Sequence, residues 1–391
     1  MSEIKVNSIK GVGASTAAIT VNNTDGTCTA NITNNLSNRR LTINGAMTIS
    51  QRATSSTVDG YGTIDRFRSN LAGCDENPTQ SQSDVASGTT PYTLGFRKAF
   101  KFTNGNQTSG AGTTDCVAIL HRIEAQDIAN SGWNYTDSNS KITLSFWCKS
   151  SVAQNFFGFF RTQDGTAQLN AFETGSLTAD TWTKVTKTIT GDSNLQFDSN
   201  NDTGLDIEFT MFRGTDRTGT LTLNQWAAYN TNVRVPDMTS TWYTTNDATW
   251  ELTGVQLEVG SVATDFEHRS FNQELDLCYR YYQRYNADGN TNRYLCGGSM
   301  DNDGNVGQMY MILHKPMRAN IASIDTTGSA SDYAMRRDST VTCTSVPALY
   351  STTTFSCYLG FTATSVGWST AQALVAVLKS SSSYIGFSAE L

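Results

Sequence analysis

Two pairs of acidic residues have a spacing that could support hydrolysis of a glycan. Asp206 and Glu208 alternate on one strand-like run, and Glu251 and Glu258 lie on another. A glycosidic bond is cleaved between two carboxyl groups that are held about 5 to 10 Å apart. Nothing else marks either pair as catalytic, because acidic side chains are common on the exposed face of a sheet. We therefore expect exposed acids and no enzymatic activity, with a polysaccharide depolymerase kept as an alternative.

Histidines and Asx-rich segments supply the remaining candidates for acid–base or metal chemistry. His121, His268 and His314 are far apart in the sequence and lie outside any HExxH frame. His121 falls on the apolar side of its strand, which predicts a hydrogen-bonded core residue. Three segments carry oxygen ligands that suit calcium, namely residues 192–194, 200–202 and 301–305. Asx-rich hairpin turns explain these segments equally well, so we expect no cofactor and keep a structural calcium ion as the alternative.

Four tryptophans stand in or beside polar, turn-rich segments. They are Trp133, Trp182, Trp226 and Trp242. A flat indole ring with Asn, Asp and Thr nearby can stack on a sugar ring while its neighbours bond the sugar hydroxyls, so these residues are the predicted glycan-binding set. The alternative is that the indoles belong to the core of a sandwich with their N–H groups satisfied. We expect one or two of them at most to be exposed.

Composition and charge narrow the functional class. The 391 residues carry a net charge of -7, and only 16% of them are charged. No basic stripe is visible, which argues against nucleic acid as a partner. No run of 18 apolar residues and no secretory signal pattern occur, so we expect synthesis in a cytoplasm and no membrane insertion. The eight cysteines lack CxxC spacing, and we expect them to act mainly as small buried apolar residues.

Alternation of apolar and polar residues predicts an all-β chain. In residues 205–211, Leu205, Ile207, Phe209 and Met211 occupy one parity while Asp206, Glu208 and Thr210 occupy the other, the pattern of a half-buried strand. Seven or eight such strands between Leu41 and Val259, beginning with a strand at residues 41–51, predict a two-sheet sandwich of the jelly-roll type. The parity slips at Thr253-Gly254, which predicts a β-bulge.

A helix is predicted after the sandwich. Ser270 and Gln273 have the spacing of a capping box, which predicts that the helix begins there. Apolar residues then recur at helical spacing at Leu275, Cys278, Tyr282 and Tyr285. We interpret this stripe as the interface of a homotrimer. The alternative is that the stripe packs only against the sandwich of its own chain.

Three stretches of the sequence resemble a known family. They read NRRLTINGAMTISQRATSSTVDGYGTIDRF at 38–67, WELTGVQLEVGSVATDFEHRSFNQELDLCYRYYQRY at 250–285 and YIGFSAEL at 384–391. These motifs resemble tail-fibre and related virion proteins of marine bacteriophages. The resemblance implies a jelly roll similar to carbohydrate-binding modules, on an external appendage of a virion that adheres to host-surface glycans. Similar domains also occur elsewhere on virions, so a capsid decoration, head-fibre or neck protein with a structural role is the second reading.

Four regions follow from these patterns. Residues 1–37 are predicted to form an attachment arm that binds another virion protein by completing a sheet. Residues 38–268 form the jelly-roll sandwich, residues 269–287 a linking helix, and residues 288–391 a smaller C-terminal β domain that trimerises. Residues 309–313 are apolar at both parities, which fits a subunit interface or a compact second β domain. Several weak sites on a trimer would bind a surface by avidity.

Overall fold

The computed structural model describes residues 6–12, 17–21, 28–30, 39–302, 304–364 and 367–391. Strands account for 42% and helices for 7% of the chain, so the predicted all-β class is confirmed. The first strands are β1 (Ser8–Ile9), β2 (Ile19–Val21) and β3 (Cys28–Ala30), and they form one antiparallel sheet in this order. The side chains of β1 are exposed and those of β2 are exposed or half-buried. Attachment through residues 1–37 stays a prediction.

The strands of the jelly-roll sandwich lie between residues 55 and 259, all of which the structure describes. Its elements are β4 (Ser55–Ser56), β5 (Phe67–Ala72), β6 (Thr79–Asp84), α1 (Thr90–Thr93), β7 (Lys98–Thr103), β8 (Cys116–Glu124), α2 (Ala125–Ala129), β9 (Lys141–Ser150), β10 (Asn155–Thr162), β11 (Gln168–Ser176), β12 (Thr183–Thr190), β13 (Thr203–Arg213), β14 (Trp226–Ala228), α3 (Thr241–Thr244) and β15 (Thr249–Val259). One sheet has the order β14-β11-β10-β13-β8-β5, and the other has the order β12-β9-β15-β7-β6-β4. The predicted jelly roll is confirmed.

The core of the sandwich lies between the two sheets. Phe100 and Phe102 of β7 and Phe146 of β9 meet Ile119 and Phe209 from the opposite sheet. Side chains at alternate positions of a strand point to the same face, so the apolar parity of each strand fills this layer. His121 is buried here, and its ring nitrogens lie 3.1 Å from the Arg66 carbonyl oxygen and 3.5 Å from the Ile43 amide. The prediction of a hydrogen-bonded core histidine is confirmed.

The outer face of β13 is covered, which the sequence pattern did not predict. Asp206 and Glu208 are buried rather than exposed. The segment that follows β13 returns across this face, where Val235 packs against Phe157 and Phe159 of β10. The alternation of apolar and polar residues located the sheet correctly. The alternation did not predict that a loop would cover the polar face of this strand.

The predicted strand at residues 41–51 is wrong. The segment runs beside β15, with hydrogen bonds from the Leu41 amide to the Leu257 oxygen and from the Val255 amide to the Gly45 oxygen, both at 2.9 Å. Asn44 and Met47 adopt positive φ angles of 59° and 58°, and left-handed residues interrupt a regular strand ladder. The chain is therefore extended only in short pieces at this position.

The β-bulge predicted at Thr253-Gly254 is confirmed. The pairing of β15 with β9 shifts register between Thr253 and Gln256. Gly254 has a φ of +65°, and a Cβ at this position would lie 2.7 Å from the Phe96 ring. Glycine thus allows both the left-handed backbone and the close approach of the ring.

The helix after the sandwich is shorter than predicted. The helix α4 (Phe271–Cys278) begins with the expected capping box, in which the Ser270 side chain accepts a hydrogen bond from the Gln273 amide. The predicted range of 269–287 is wrong, because the chain at Tyr282 pairs with the last strand of the protein instead. Tertiary pairing here overrides the local helical pattern.

The C-terminal region contains two further antiparallel sheets. Its strands are β16 (Tyr282–Asn286), β17 (Arg293–Met300), β18 (Val306–Ile312), β19 (Ser323–Thr326), β20 (Tyr333–Arg336), β21 (Thr340–Thr342), β22 (Ala348–Thr352), β23 (Ser356–Thr362), β24 (Ala373–Leu378) and β25 (Tyr384–Ser388). The sheets have the orders β16-β25-β19 and β21-β20-β24-β17-β18-β23-β22. Their shared core includes Met309, Met311, Leu359, Phe361 and Phe387.

A buried polar cluster, which we call the joint, connects the sandwich to the C-terminal region. The joint consists of Arg52, Arg66, Tyr281, Tyr282 and Glu390. Arg66 lies over the Tyr281 ring at 3.4 Å and pairs with Glu390 at 2.5 Å, and Arg52 lies over the Tyr282 ring at 3.6 Å. Each of the three family-like motifs contributes to this cluster. The motifs therefore build the contact between the two regions.

Candidate functional site

The acids proposed for hydrolysis form structural ion pairs. Glu208 accepts two hydrogen bonds from Arg213 Nη2, at 2.6 and 2.8 Å. Asp206 lies 3.4 Å from Arg122, and burial raises the pKa of Asp206 above its ordinary value. Both acids are therefore held in buried ion pairs within the sandwich.

The second acidic pair is engaged in the same way. Glu251 pairs with Lys149 at 2.9 Å. Glu258 lies 3.3 Å from Arg39 and accepts hydrogen bonds from the amide and hydroxyl of Thr264. Within the described part of the chain, no group of three or more His, Cys, Asp or Glu residues could hold a metal ion.

Two of the Asx-rich segments form local turns. The Asp192 carboxylate accepts from the Asn194 amide at 2.9 Å, and the Asn200 side-chain oxygen accepts from the Asp202 amide at 3.0 Å. Residue 303 of the third segment lies outside the described residues. These contacts match the hairpin-turn interpretation, and a structural calcium ion stays the untested alternative.

The cysteines described by the structure carry free thiols. Burial raises the pKa of Cys148 to about 12, and the same cause raises the pKa of Cys116 to about 12. A thiol of this kind is held in its unreactive form at neutral pH. Both residues therefore act as small apolar side chains, as expected from the sequence.

The four predicted glycan-binding tryptophans do not form one surface. Trp133 and Trp242 are buried in the sandwich core, where no sugar can reach them, so the prediction is wrong for these two. Trp242 donates from its indole N–H to the Thr249 oxygen at 3.0 Å. Trp182 and Trp226 are half-buried at the edges of different sheets. For these two residues glycan binding stays a prediction.

The predicted trimer stripe is largely internal. Cys278 and Tyr282 are buried within their own chain, so the prediction that they contact a second copy is wrong. Leu275 and Tyr285 are half-buried. The Tyr285 ring stacks on the His314 ring with their centroids 4.6 Å apart and their planes at 16°. Leu275 and Cys278 lie on α4, whereas Tyr282 and Tyr285 lie on the strand Tyr282–Asn286, so the four residues do not form one helical stripe.

An exposed aromatic surface lies on the seven-stranded C-terminal sheet. Along β18 the side chains alternate, with Met309 and Met311 in the core and Gln308, Tyr310 and Ile312 exposed. We define the tyrosine face as the outward side chains of Ser299, Gln308, Tyr310, Tyr350, Ser351 and Tyr358. The exposed fractions of its tyrosines are 45% for Tyr310, 55% for Tyr350 and 46% for Tyr358. Large rings are thus held at the surface on a packed sheet.

Strand register arranges the three rings. Tyr310 of β18 is directly opposite Tyr358 of β23, and their ring centroids are 5.3 Å apart at an angle of 52°. Tyr350 lies on β22, whose pairing with β23 shifts register between Leu349 and Ser351. Its ring lies over Gly360, where a Cβ would come within 2.5 Å of the Tyr350 ring. Glycine at residue 360 therefore leaves room for the third ring.

The chemistry of the tyrosine face is aromatic and uncharged. It surrounds an open hollow of about 490 Å³ that is lined by three tyrosines, two serines, a glutamine and Gly298. Gln308 lies opposite Ser299 in the strand pairing, which places an amide and a hydroxyl beside the rings. Volumes of about 300 to 1,000 Å³ are typical of small-molecule sites. The hollow can stack flat rings and exchange hydrogen bonds with hydroxyl groups.

The sequence contained a signal for this face. Residues 309–313 are apolar at both parities only if tyrosine and isoleucine are grouped with methionine and leucine. The methionines in fact face the core, while Tyr310 and Ile312 are exposed. The position of Tyr350 was not predictable, since it depends on a bulge between two strands that the sequence does not mark.

Comparisons with known proteins return weak structural similarities. No protein-family model matches the chain, and no curated protein matches it. Similar solved structures include the enzymatically active domain of tailspike protein 4 from bacteriophage CBA120, at 9% identity and a TM-score of 0.31 over 56% of this chain and 21% of that chain. Another is the N-terminal cellulose-binding domain of β-1,4-glucanase C from Cellulomonas fimi, at 13% identity and a TM-score of 0.27 over 55% of this chain and 100% of that chain.

A third similar structure is the tripod from the baseplate of bacteriophage Tuc2009, at 12% identity and a TM-score of 0.24 over 59% of this chain and 58% of that chain. Similarities this weak identify neither a family nor a ligand. No helix in the described residues has the length and apolar character needed to cross a membrane.

Proposed function

We propose that the protein is a bacteriophage virion component of the tail-fibre or receptor-binding type, and that its tyrosine face adheres to host-surface glycans. The uncharged hollow with three exposed rings is the observation that carries this proposal. A sugar presents C–H groups on its ring faces and hydroxyls at its rim. Tyrosine side chains match both, because each offers an apolar ring and a polar hydroxyl.

The lack of charge in the hollow favours a neutral ligand. The chain as a whole carries a net charge of -7, yet the hollow is lined by Tyr, Ser, Gln and Gly, with no Lys, Arg, Asp, Glu or His among them. A site for sulfated, phosphorylated or acidic sugars would need Arg or Lys beside the rings. The hollow therefore suits neutral hexose or pentose residues of a surface polysaccharide.

A binding role without catalysis is part of the same proposal. The acidic pairs that could have cleaved a glycan are engaged with Arg122, Arg213, Lys149 and Arg39. They also lie in the sandwich, whereas the tyrosine face lies on a separate sheet of the C-terminal region. Release of oligosaccharides from host envelope polysaccharide by the purified protein would overturn this part and favour a depolymerase.

The placement on a virion is supported by the three sequence motifs. A single open hollow gives low affinity, and several copies on one particle would raise the effective concentration for a second contact. The homotrimer and the attachment through residues 1–37 belong to this proposal. Light scattering on the full chain tests the assembly, where a monomer at micromolar concentration would contradict it.

A structural role is the second candidate, because Ile312 and Phe355 are also exposed beside the tyrosine face. In this case a neighbouring copy in a capsid decoration or neck would cover the face. Imaging of the virion separates the two roles, since occupancy of a capsid lattice favours decoration and a tail position favours adhesion.

Binding to an array of neutral and charged glycans tests the adhesion directly. We expect the full chain to bind at least one neutral glycan, and Tyr310→Ala to weaken this binding about tenfold or more, the effect of losing a central aromatic anchor. Tyr294→Ala is the matched control, because Tyr294 is an exposed tyrosine of the same sheet that does not line the hollow. Equal binding by wild type and Tyr310→Ala would refute the site.

A further inference from the structure

The exposed side of β18 continues beyond the hollow. After Gln308 and Tyr310, the alternation of buried and exposed side chains extends through Ile312 to His314. Side chains on one face of a strand are spaced by two residues, so the part of this row on β18, from Gln308 to Ile312, is roughly 13 Å long. His314 follows in a bend just after the strand. A monosaccharide, which is about as wide as one aromatic ring, would occupy only part of this row.

The far end of the row is held rigidly. The His314 amide donates to the Gln283 side-chain oxygen at 2.9 Å and to the Tyr285 hydroxyl at 3.1 Å. The His314 ring stacks on Tyr285 and also lies 5.4 Å from the Tyr279 ring. An imidazole fixed in this way loses little conformational entropy when its free edge bonds a ligand.

The middle of the row is apolar and bordered by another ring. Ile312 is 53% exposed and lies directly opposite Ser356 in the pairing of β18 with β23. Phe355 is exposed beside it, and its carbonyl oxygen accepts from the Leu313 amide at 2.9 Å. The row thus presents, in order, an amide, a ring pair, an aliphatic patch and an imidazole.

Charge near the far end is internally balanced. Lys315 pairs with Asp276 of α4 at 2.7 Å, which leaves no unpaired cation directed at the row from this neighbour. The row itself contains no Lys, Arg, Asp or Glu side chain. On the neighbouring strand β17, the exposed Arg293 is paired with Asp288 at 3.7 Å.

We infer that the tyrosine face is one end of a binding track, formed by Gln308, Tyr310, Ile312 and His314, that takes an extended uncharged oligosaccharide along β18. This inference rests on the proposed glycan binding and adds the length, direction and charge of the ligand. The hollow binds one part of the chain by stacking, and the aliphatic and imidazole part binds sugar residues further along it.

A length series tests the track. The probes are neutral oligosaccharides of one to six residues with β-gluco, β-xylo, β-galacto and α-manno backbones, measured by calorimetry on the full chain. We expect affinity in at least one series to rise about tenfold or more between one and four residues. His314→Ala and Ile312→Ser should remove this gain for the long probes and leave the affinity for the short ones unchanged.

The possible outcomes separate the track from the underlying function. Binding that is lost in Tyr310→Ala but does not depend on probe length, or is unaffected by His314→Ala, overturns the track and leaves glycan adhesion standing. Binding of charged probes alone overturns the uncharged ligand. Failure of the wild type to bind any neutral series overturns both. A dimer or trimer that dissociates in Ile312→Ser shows instead that a second copy covers the row, which also overturns the track.

Discussion

The joint and the tyrosine face use aromatic rings in opposite ways. In the joint, the rings of Tyr281 and Tyr282 are buried under the guanidinium groups of Arg66 and Arg52. In the tyrosine face, Tyr310 and Tyr358 have comparable size but nearly half of each side chain is exposed, and no charge lies among the residues of the hollow. The rings of the joint are covered by other groups of the chain, whereas those of the tyrosine face are about half exposed.

The motifs that resemble a known family and the residues of the tyrosine face lie in different parts of the molecule. Residues from all three family-like motifs form the joint, which is a contact between the sandwich and the C-terminal region. In the sequence, the residues of the tyrosine face lie between the second and third motifs and belong to neither.

Breaking the joint should produce the largest effect on stability. Removal of one partner from a buried ion pair leaves the other charge without compensation, which costs about 3 to 5 kcal/mol. Arg66→Ala removes the shorter of the two ion pairs of Glu390, which keeps Arg52 at 3.2 Å, and we expect a loss at the lower end of this range in the free energy of unfolding measured with urea. Arg68→Ala is the control, because the pair of Arg68 with Asp59 is exposed and such pairs contribute about 0 to 1 kcal/mol. Equal losses in both variants would contradict the assigned role of the joint.

The pH dependence of stability should reveal a second property of this region. Burial raises the pKa of Asp65 from 3.8 to about 6, although Arg52 and Gln51 favour the charged form. Because the native state holds this proton more tightly than the unfolded state, the free energy of unfolding falls as pH rises from about 4 to about 6, by on the order of 3 kcal/mol.

Asp65→Asn should remove that fall while keeping the shape of the side chain. We expect wild type and variant to have similar stability near pH 4, and the variant to be the more stable of the two above pH 6, as measured by urea unfolding at each pH. Two parallel profiles across this range would show that Asp65 is not the group responsible.

Changes in the tyrosine face should have the smallest effect on stability. We expect Tyr358→Ala to alter the free energy of unfolding by no more than about 0.5 kcal/mol, as is usual for surface positions, while glycan binding is lost. Phe361→Ala on the same strand is the comparison, because Phe361 is buried in the core and its loss should cost about 3 to 5 kcal/mol. A large loss of stability in Tyr358→Ala would mean that the ring supports the fold.

The sequence predicted the parts of the fold that depend on local patterns. The alternation in β13, the bulge at Gly254 and the capping box at Ser270 each depend on neighbouring residues, and each is present. The burial of Glu208 depends on a loop that crosses the sheet, and the strand at Tyr282 depends on pairing with β25. Such long-range contacts override local propensity.

The candidate site was predictable only in its chemistry. The sequence pattern of aromatic side chains beside hydroxyl and amide groups also describes the tyrosine face, but two of the four predicted tryptophans, Trp133 and Trp242, are core residues. Polar neighbours in the sequence did not predict exposure for Trp242, because Trp242 lies on the short helix α3 and its ring is buried in the sandwich core. Exposure of Tyr310 follows from the parity of β18, which becomes clear only when the methionines on the other parity are assigned to the core.

The absence of a side chain at Gly360 gives the protein a simple route to change. A single methyl group at that position would displace the Tyr350 ring and reshape the hollow, while the packed side of β23 would remain as it is. Under the proposed glycan binding, a substitution at this one small residue would therefore change which sugars fit the hollow and would leave the core of the C-terminal region intact.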